Sequence, residues 1–174
     1  MKVLFATFAV ILISFSAAAE KIWTEHSRKN EMTGQMLFYA FTNDVKSINP
    51  MSFPYNKTTS SISLACSQKN KKMSVSFLFN VAPNINNKEI IVKNFDSIKT
   101  RIKFGEKITN VELFQKWGSR AIGFRNSEQY FADLNISDEL LLELDWHGNG
   151  KVYFKHTITG FSKVFEAIKS KCGA

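Results

Sequence analysis

Residues 61–79 read Ser61-Ile62-Ser63-Leu64-Ala65-Cys66-Ser67-Gln68-Lys69-Asn70-Lys71-Lys72-Met73-Ser74-Val75-Ser76-Phe77-Leu78-Phe79. Two runs of alternation lie in this stretch. Ile62, Leu64 and Cys66 share a face opposite Ser61, Ser63 and Ala65; Met73, Val75, Phe77 and Phe79 share a face opposite Ser74, Ser76 and Asn80. Side chains alternate across a strand, so a period of two marks antiparallel strands with one face on a core. The basic run Lys69-Asn70-Lys71-Lys72 between them reads as a solvated turn. The pair is therefore expected to form a hairpin that points Cys66 inward.

The other cysteine closes the chain. From Phe161 the apolar residues Phe161, Val164, Phe165, Ile168 and Cys172 follow one helical face, with Lys163, Glu166, Lys169 and Lys171 facing away. This helix and the hairpin are expected to meet through a Cys66–Cys172 disulfide. In the chain-entropy model a loop of that length contributes roughly 4–5 kcal/mol. A free, reactive cysteine is the alternative.

Outward from these two pieces the pattern stays β-rich. Ile22 to Ser27 reads as a short strand anchored by Trp23. Met36 to Thr42 is apolar on both faces and reads as an interior strand or one covered on both sides. Residues 43–60 read as a long loop with Phe53 and Tyr55 exposed, and residues 82–87 as a second loop. Glu89 to Val92 suggests a short strand. Ile98, Thr100, Ile102 and Phe104 alternate with Lys99, Arg101 and Lys103, which predicts a strand with a basic outer face ended by Gly105. One or two further strands are expected within 106–126. Ser127, followed by Glu128 and Gln129, reads as an N-cap for a short helix over 127–135. Leu140, Leu142, Leu144 and Trp146 alternate into the turn His147-Gly148-Asn149-Gly150, and the strand of Val152, Phe154, His156 and Ile158 returns. The expected fold class is α+β: a mostly antiparallel sheet or sandwich with two helices, the last one tethered by the disulfide.

The first nineteen residues read as a cleaved leader. Lys2 precedes the apolar run Val3–Phe15, and Ala17-Ala18-Ala19 supplies small residues for cleavage after Ala19. The run is shorter than the ~20 residues a membrane-spanning helix needs, so no stable insertion is expected after cleavage. Residues 20–174 are then expected to form one domain in the periplasm or outside the cell. Two cysteines in an exported chain fit one disulfide. The whole chain carries a formal charge of +8, which becomes +7 without Lys2. The lysines are scattered and exported proteins meet little nucleic acid, so no nucleic-acid partner is expected.

Catalytic signatures are sparse. His26 lies in a polar segment, His147 in a glycine-rich turn, and His156 on the apolar face of its strand, where a satisfied core or rim histidine is expected. No two histidines take helical metal-ligand spacing, and no nucleophile elbow or phosphate-cradling loop appears. Asp145 and His147 are close in sequence, which by itself is a weak sign of acid–base chemistry. Asn56 and Asn135 begin glycosylation sequons, which matter only in a eukaryotic secretory host. The reading is no enzyme, no cofactor and no metal. Arg101 and Lys103, with Trp117 and Arg120 beyond them, form a candidate basic, aromatic contact surface; the plainer expectation is a solvated face with Trp117 buried.

The C-terminal two-thirds resembles the periplasmic VasI/TagO family associated with bacterial type VI secretion. The resemblance rests on an ordered set of pieces. These are the cysteine strand Ser61–Cys66, the arginine strand Thr100–Gly105, Trp117, the leucine-rich Leu140–Leu144, and an ending of Phe154, Thr159-Gly160 and Val164–Cys172. Trp23 fits an early tryptophan of the family. Lys103 departs from the pattern, since members tend to have an acidic residue two places after the arginine, and the loop after Pro83 is rich in asparagine and lysine. The resemblance implies a divergent, exported, non-enzymatic accessory protein with a structural disulfide and a protein partner in the bacterial envelope. The alternative expectation is a phage- or prophage-type immunity or exclusion protein that blocks a toxin, enzyme or incoming phage at the envelope.

Overall fold

The computed structural model describes residues 21–92 and 94–174, so the expected leader lies outside the described residues. Eleven strands come in the order β1 (Trp23–Lys29), β2 (Met36–Thr42), β3 (Val45–Lys46), β4 (Thr59–Ser67), β5 (Met73–Phe79), β6 (Lys88–Val92), β7 (Phe95–Phe104), β8 (Lys107–Lys116), β9 (Ala121–Phe124), β10 (Glu139–Trp146) and β11 (Gly150–Thr157). A 3-10 turn (Ser127–Tyr130) leads into α1 (Phe131–Ile136), and α2 (Phe161–Cys172) follows β11. The mostly antiparallel α+β expectation holds, with the last helix joined to the sheet by a Cys66–Cys172 disulfide.

All strands belong to one antiparallel sheet, ordered β1-β2-β4-β5-β9-β8-β7-β10-β11, with β3 beside β4 and β6 beside β7. The sheet rolls back on itself. A bridge joins Ser47 to Phe154, and the Ile48 N–H donates to the Tyr153 carbonyl at 2.8 Å. Because β3 also pairs with β4, the hydrogen-bonded path from β4 around to β11 returns to its start. The one sheet is thus rolled into a barrel whose wall is completed by β3.

Alternation fills the interior. Ile62, Leu64, Phe77, Ile98, Ile102, Leu113, Ile122, Leu140, Leu142, Leu144, Trp146 and Phe154 are fully enclosed. At one end Trp146 packs edge-on against Tyr55 and Phe79. Tyr55 is therefore half-buried, contrary to its expected exposure, while Phe53 is exposed as expected. The other end is closed by the helices. α2 buries Phe161, Val164, Phe165, Ile168 and Cys172, the five positions its periodicity picked out. Phe161 meets Trp23 at 5.8 Å and Phe165 meets Phe131 at 4.9 Å. Each such side chain contributes about 1.5–3 kcal/mol as an upper bound. Gly160 (φ 83°) and Gly173 (φ 69°) stand at the two ends of α2 in the left-handed conformation that glycine adopts without strain.

Two local readings need correction, and a third resolves to one of its alternatives. Ser127 does not cap the short helix; Asn126 takes the cap position, and Ser127 Oγ accepts the Val75 N–H at 2.9 Å, tying the 3-10 turn to β5. β2 is the interior strand that one of its two readings expected, and on its outer face Tyr39 and Phe41 pack against each other at 5.1 Å and against His26. The long loop 43–60 contains β3 and the start of β4, because its residues close the barrel.

Candidate binding surfaces

The four residues expected to share a contact surface separate into two places. β7 and β8 form a hairpin with Phe104 opposite Lys107 at the turn and Phe95 opposite Lys116 at the far end. Arg101 and Lys103 face outward near the turn, whereas Trp117 and Arg120 follow the far end. Arg101 lies six residues from Phe95, roughly 20 Å along the strand.

Near the turn, the charges neutralise one another. Arg101 and Glu143 make a two-pronged contact, Nε to Oε1 at 3.1 Å and Nη2 to Oε2 at 2.5 Å. Lys151 approaches the same carboxylate at 3.4 Å. The hydrogen bond from Arg101 holds the Glu143 carboxyl below the usual carboxylate range, and Glu143 in turn raises Arg101. Lys103 pairs with Glu106 at 2.7 Å, and Lys99 with Glu89 at 3.1 Å. The hydroxyl of Thr100 donates to the Glu143 carbonyl, and Asn87 Nδ2 donates to the Lys99 carbonyl at 2.6 Å. These side chains supply hydrogen bonds where β6 and β10 share one edge of β7. This is a solvated, laced face.

Asp145 and His147 lie beside it without touching through their side chains. Asn86 stands between them: its Nδ2 donates to Asp145 Oδ1 at 2.8 Å, and its Oδ1 lies 3.1 Å from His147 Nδ1. His156 is fully buried, and neither ring nitrogen has a partner, so the expected satisfied core histidine is a core histidine left unsatisfied. Among the described residues no group of three or more His, Cys, Asp or Glu is placed to hold a metal ion.

At the far end of the hairpin, Trp117 is 78% exposed, not buried. It sits in a tight turn in which the Ser119 N–H donates to the Lys116 carbonyl at 2.8 Å and Gly118 takes φ 71°. Its own N–H donates to the Asn94 carbonyl at 2.9 Å, which sets it beside the partly exposed Phe95. Arg120 is exposed and has no ion pair among the described residues.

A further surface crosses the outer face of β2, β4, β5, β9 and β8. The register sets Tyr39 beside Ala65 and Ser74, and Phe41 beside Ser63, Ser76, Gly123 and Phe114. Small side chains on three neighbouring strands thus make a floor between aromatic walls. One wall is Tyr39 and Phe41, with His26 stacked on Tyr39 at 5.6 Å. The other is Phe114, which lies so closely over Gly123 that a Cβ there would stand 3.0 Å from its ring. Hollows of about 250 Å³ and 420 Å³ mark its two ends, the first edged by Leu37, Lys72 and Arg125, the second by Asp44, Ser61 and Arg120.

The sequence contained part of this. Gly118-Ser119 after Trp117 is a turn signature that argues against a buried strand position. The outward serines of 61–67 and 74–76 were visible as one face of a hairpin, but that β2 and β9 flank it depends on long-range strand order. No family model matches the chain, and no curated protein or solved structure matches it. No helix among the described residues is long and apolar enough to cross a membrane.

Proposed function

We propose that the chain is an exported, non-enzymatic binding protein of the bacterial envelope, acting as an accessory to an envelope or secretion-apparatus protein. The observation that carries this reading is the corner where exposed Trp117 stands with Phe95 and Arg120, which has no ion pair among the described residues. Tryptophan and arginine are enriched among the residues that carry most of the energy of protein interfaces. The disulfide supports an oxidising compartment, and the leader and the VasI/TagO resemblance favour the periplasm. The test is a crosslinked pull-down of the tagged protein from the periplasm of its native host, run beside Trp117→Ala. Envelope or secretion subunits enriched by the parent and lost by the variant support the reading. A single toxin, hydrolase or phage protein in that lane moves the assignment to immunity or exclusion. Equal capture by both proteins removes the Trp117 corner as the contact.

A further inference from the structure

We infer that the aromatic-walled outer face of β2, β4, β5, β9 and β8 is a binding site for an anionic, carboxylate-bearing polysaccharide. The ligand is distinct from the partner of the Trp117 corner, with which this face shares Arg120 at one edge. The floor is made of small and mostly polar side chains, Ser61, Ser63 and Ala65 on β4, Ser74 and Ser76 on β5, and Gly123 on β9. Ile62 and Leu64 point into the barrel, so Ser61 and Ser63 point out onto this face, yet they are only 8% and 6% exposed. Ser63 stands in the cross-strand row between Phe41 on β2 and Phe114 on β8, and Ser61 lies two residues further along the same strand face.

The dimensions and chemistry select the occupant. Three strands separate the walls of β2 and β8, a spacing of roughly 19 Å between their backbones, and the floor from Ser61 to Ser67 runs roughly 20 Å. That suits an extended polymer lying along the strands. An extended peptide is disfavoured because β4 is paired on both sides, β5 is paired with β9 over Ser76–Leu78, and beyond that stretch the Val75 N–H is taken by Ser127 Oγ, which leaves little backbone edge to satisfy a peptide's N–H and C=O groups. A sugar chain brings its own hydroxyls, which match serine hydroxyls as both donors and acceptors. Its C–H faces suit the flat walls of Tyr39, Phe41 and Phe114. Charge sets the class. Arg28, Lys72, Lys116 and Arg120 surround the face without ion-pair partners among the described residues, Arg125 is matched by Glu112 at 2.7 Å, and Asp44 is the one carboxylate edging the two hollows. A carboxylate-bearing chain complements that balance.

The experiment is calorimetric titration of the purified protein with short polygalacturonate oligomers, with neutral dextran oligomers and polyglutamate as controls. Saturable binding of polygalacturonate is expected, weakened about tenfold or more by Tyr39→Ala and several-fold by Ser63→Ala, which removes one hydroxyl and little else. Lys72→Glu weakens binding as well, whereas Lys155→Glu on the far face does not. Melting curves confirm that each variant is folded. The inference is overturned by an absence of saturable polygalacturonate binding, or by binding that Tyr39→Ala and Ser63→Ala leave unchanged. Equal affinity for dextran overturns the anionic class, and equal affinity for polyglutamate overturns the glycan. The purified protein is titrated without any partner, so failure here leaves the Trp117 contact standing, and the reverse also holds.

Discussion

His156 stands with its imidazole 5.8 Å, ring centre to ring centre, from Phe77 across the barrel interior, and neither of its nitrogens is hydrogen-bonded. Leu140 lies opposite it on β10. A charged imidazole there would have no solvation, so burial pushes its pKa down to about 4. Between the ordinary value of 6.5 and about 4, the unfolded chain binds a proton that the folded chain refuses. Stability therefore rises with pH through that window: it is complete above about 6.5 and lost progressively toward 4. The swing is on the order of 3 kcal/mol. Urea unfolding at pH 4.5 and 7.5 should show it, and His156→Leu should flatten the difference, with the carboxylates contributing equally in both proteins. The same pH slope in parent and variant would refute a neutral, unsatisfied His156.

The disulfide is a second measurable anchor. Cys66 at the end of β4 is bonded to Cys172 at the end of α2, with a sequence separation of 106 and the Cα atoms 6.1 Å apart. Both are almost fully buried. Cys172→Ser is expected to cost roughly 4–5 kcal/mol under oxidising conditions, from the loop-closure entropy restored to the unfolded chain. Under reducing conditions the parent should fall toward the variant. An unchanged melting temperature on reduction would remove the disulfide from the stability of the fold.

The periodicities of residues 61–79 and 161–172 placed the hairpin, the closing helix and its buried face, because burial on one side of an element leaves a local trace in sequence. What stayed hidden was relational. Trp117 became exposed because its turn ends the sheet there, and Tyr39 became a wall because β4, next to it, presents Ala65 and Ser63. Arg101 reads as a free cation in sequence, yet Glu143, forty-two residues on, neutralises it in register. Strand order and register decide such pairings, and neither is written in a window of a few residues.

Ser127 illustrates how one hydroxyl can hold two elements together. Its Oγ accepts the Val75 N–H at 2.9 Å, and Val75 is buried on β5. Ser127→Ala leaves that buried donor without a partner, at a cost of about 1–3 kcal/mol. Amide exchange at Val75 should accelerate by more than the global loss of stability explains. Ser127→Thr, which keeps the hydroxyl, should restore much of the protection. Exchange at Val75 that follows only global unfolding in both variants would make Ser127 a bystander.

Gly123 and Phe114 are coupled through contact. A Cβ at Gly123 would meet Phe114 Cε1 at 3.0 Å and Cζ at 3.1 Å, tighter than carbon atoms ordinarily pack, so the ring must give by a few tenths of an ångström. Gly123 sits within β9 without a positive φ, so alanine introduces no backbone strain and should gain ~0.4–1 kcal/mol by restricting the unfolded chain. Against that stands the displacement of the Phe114 ring, an overpacking cost of about 1–3 kcal/mol. Gly123→Ala alone is therefore expected to destabilise by roughly 1 kcal/mol. In a Phe114→Leu background, where the obstructing ring is gone, the same substitution should be neutral or stabilising. A double-mutant cycle measures the difference directly. A coupling energy indistinguishable from zero would show that the ring swings away freely, and that Phe114 does not form a fixed wall over Gly123.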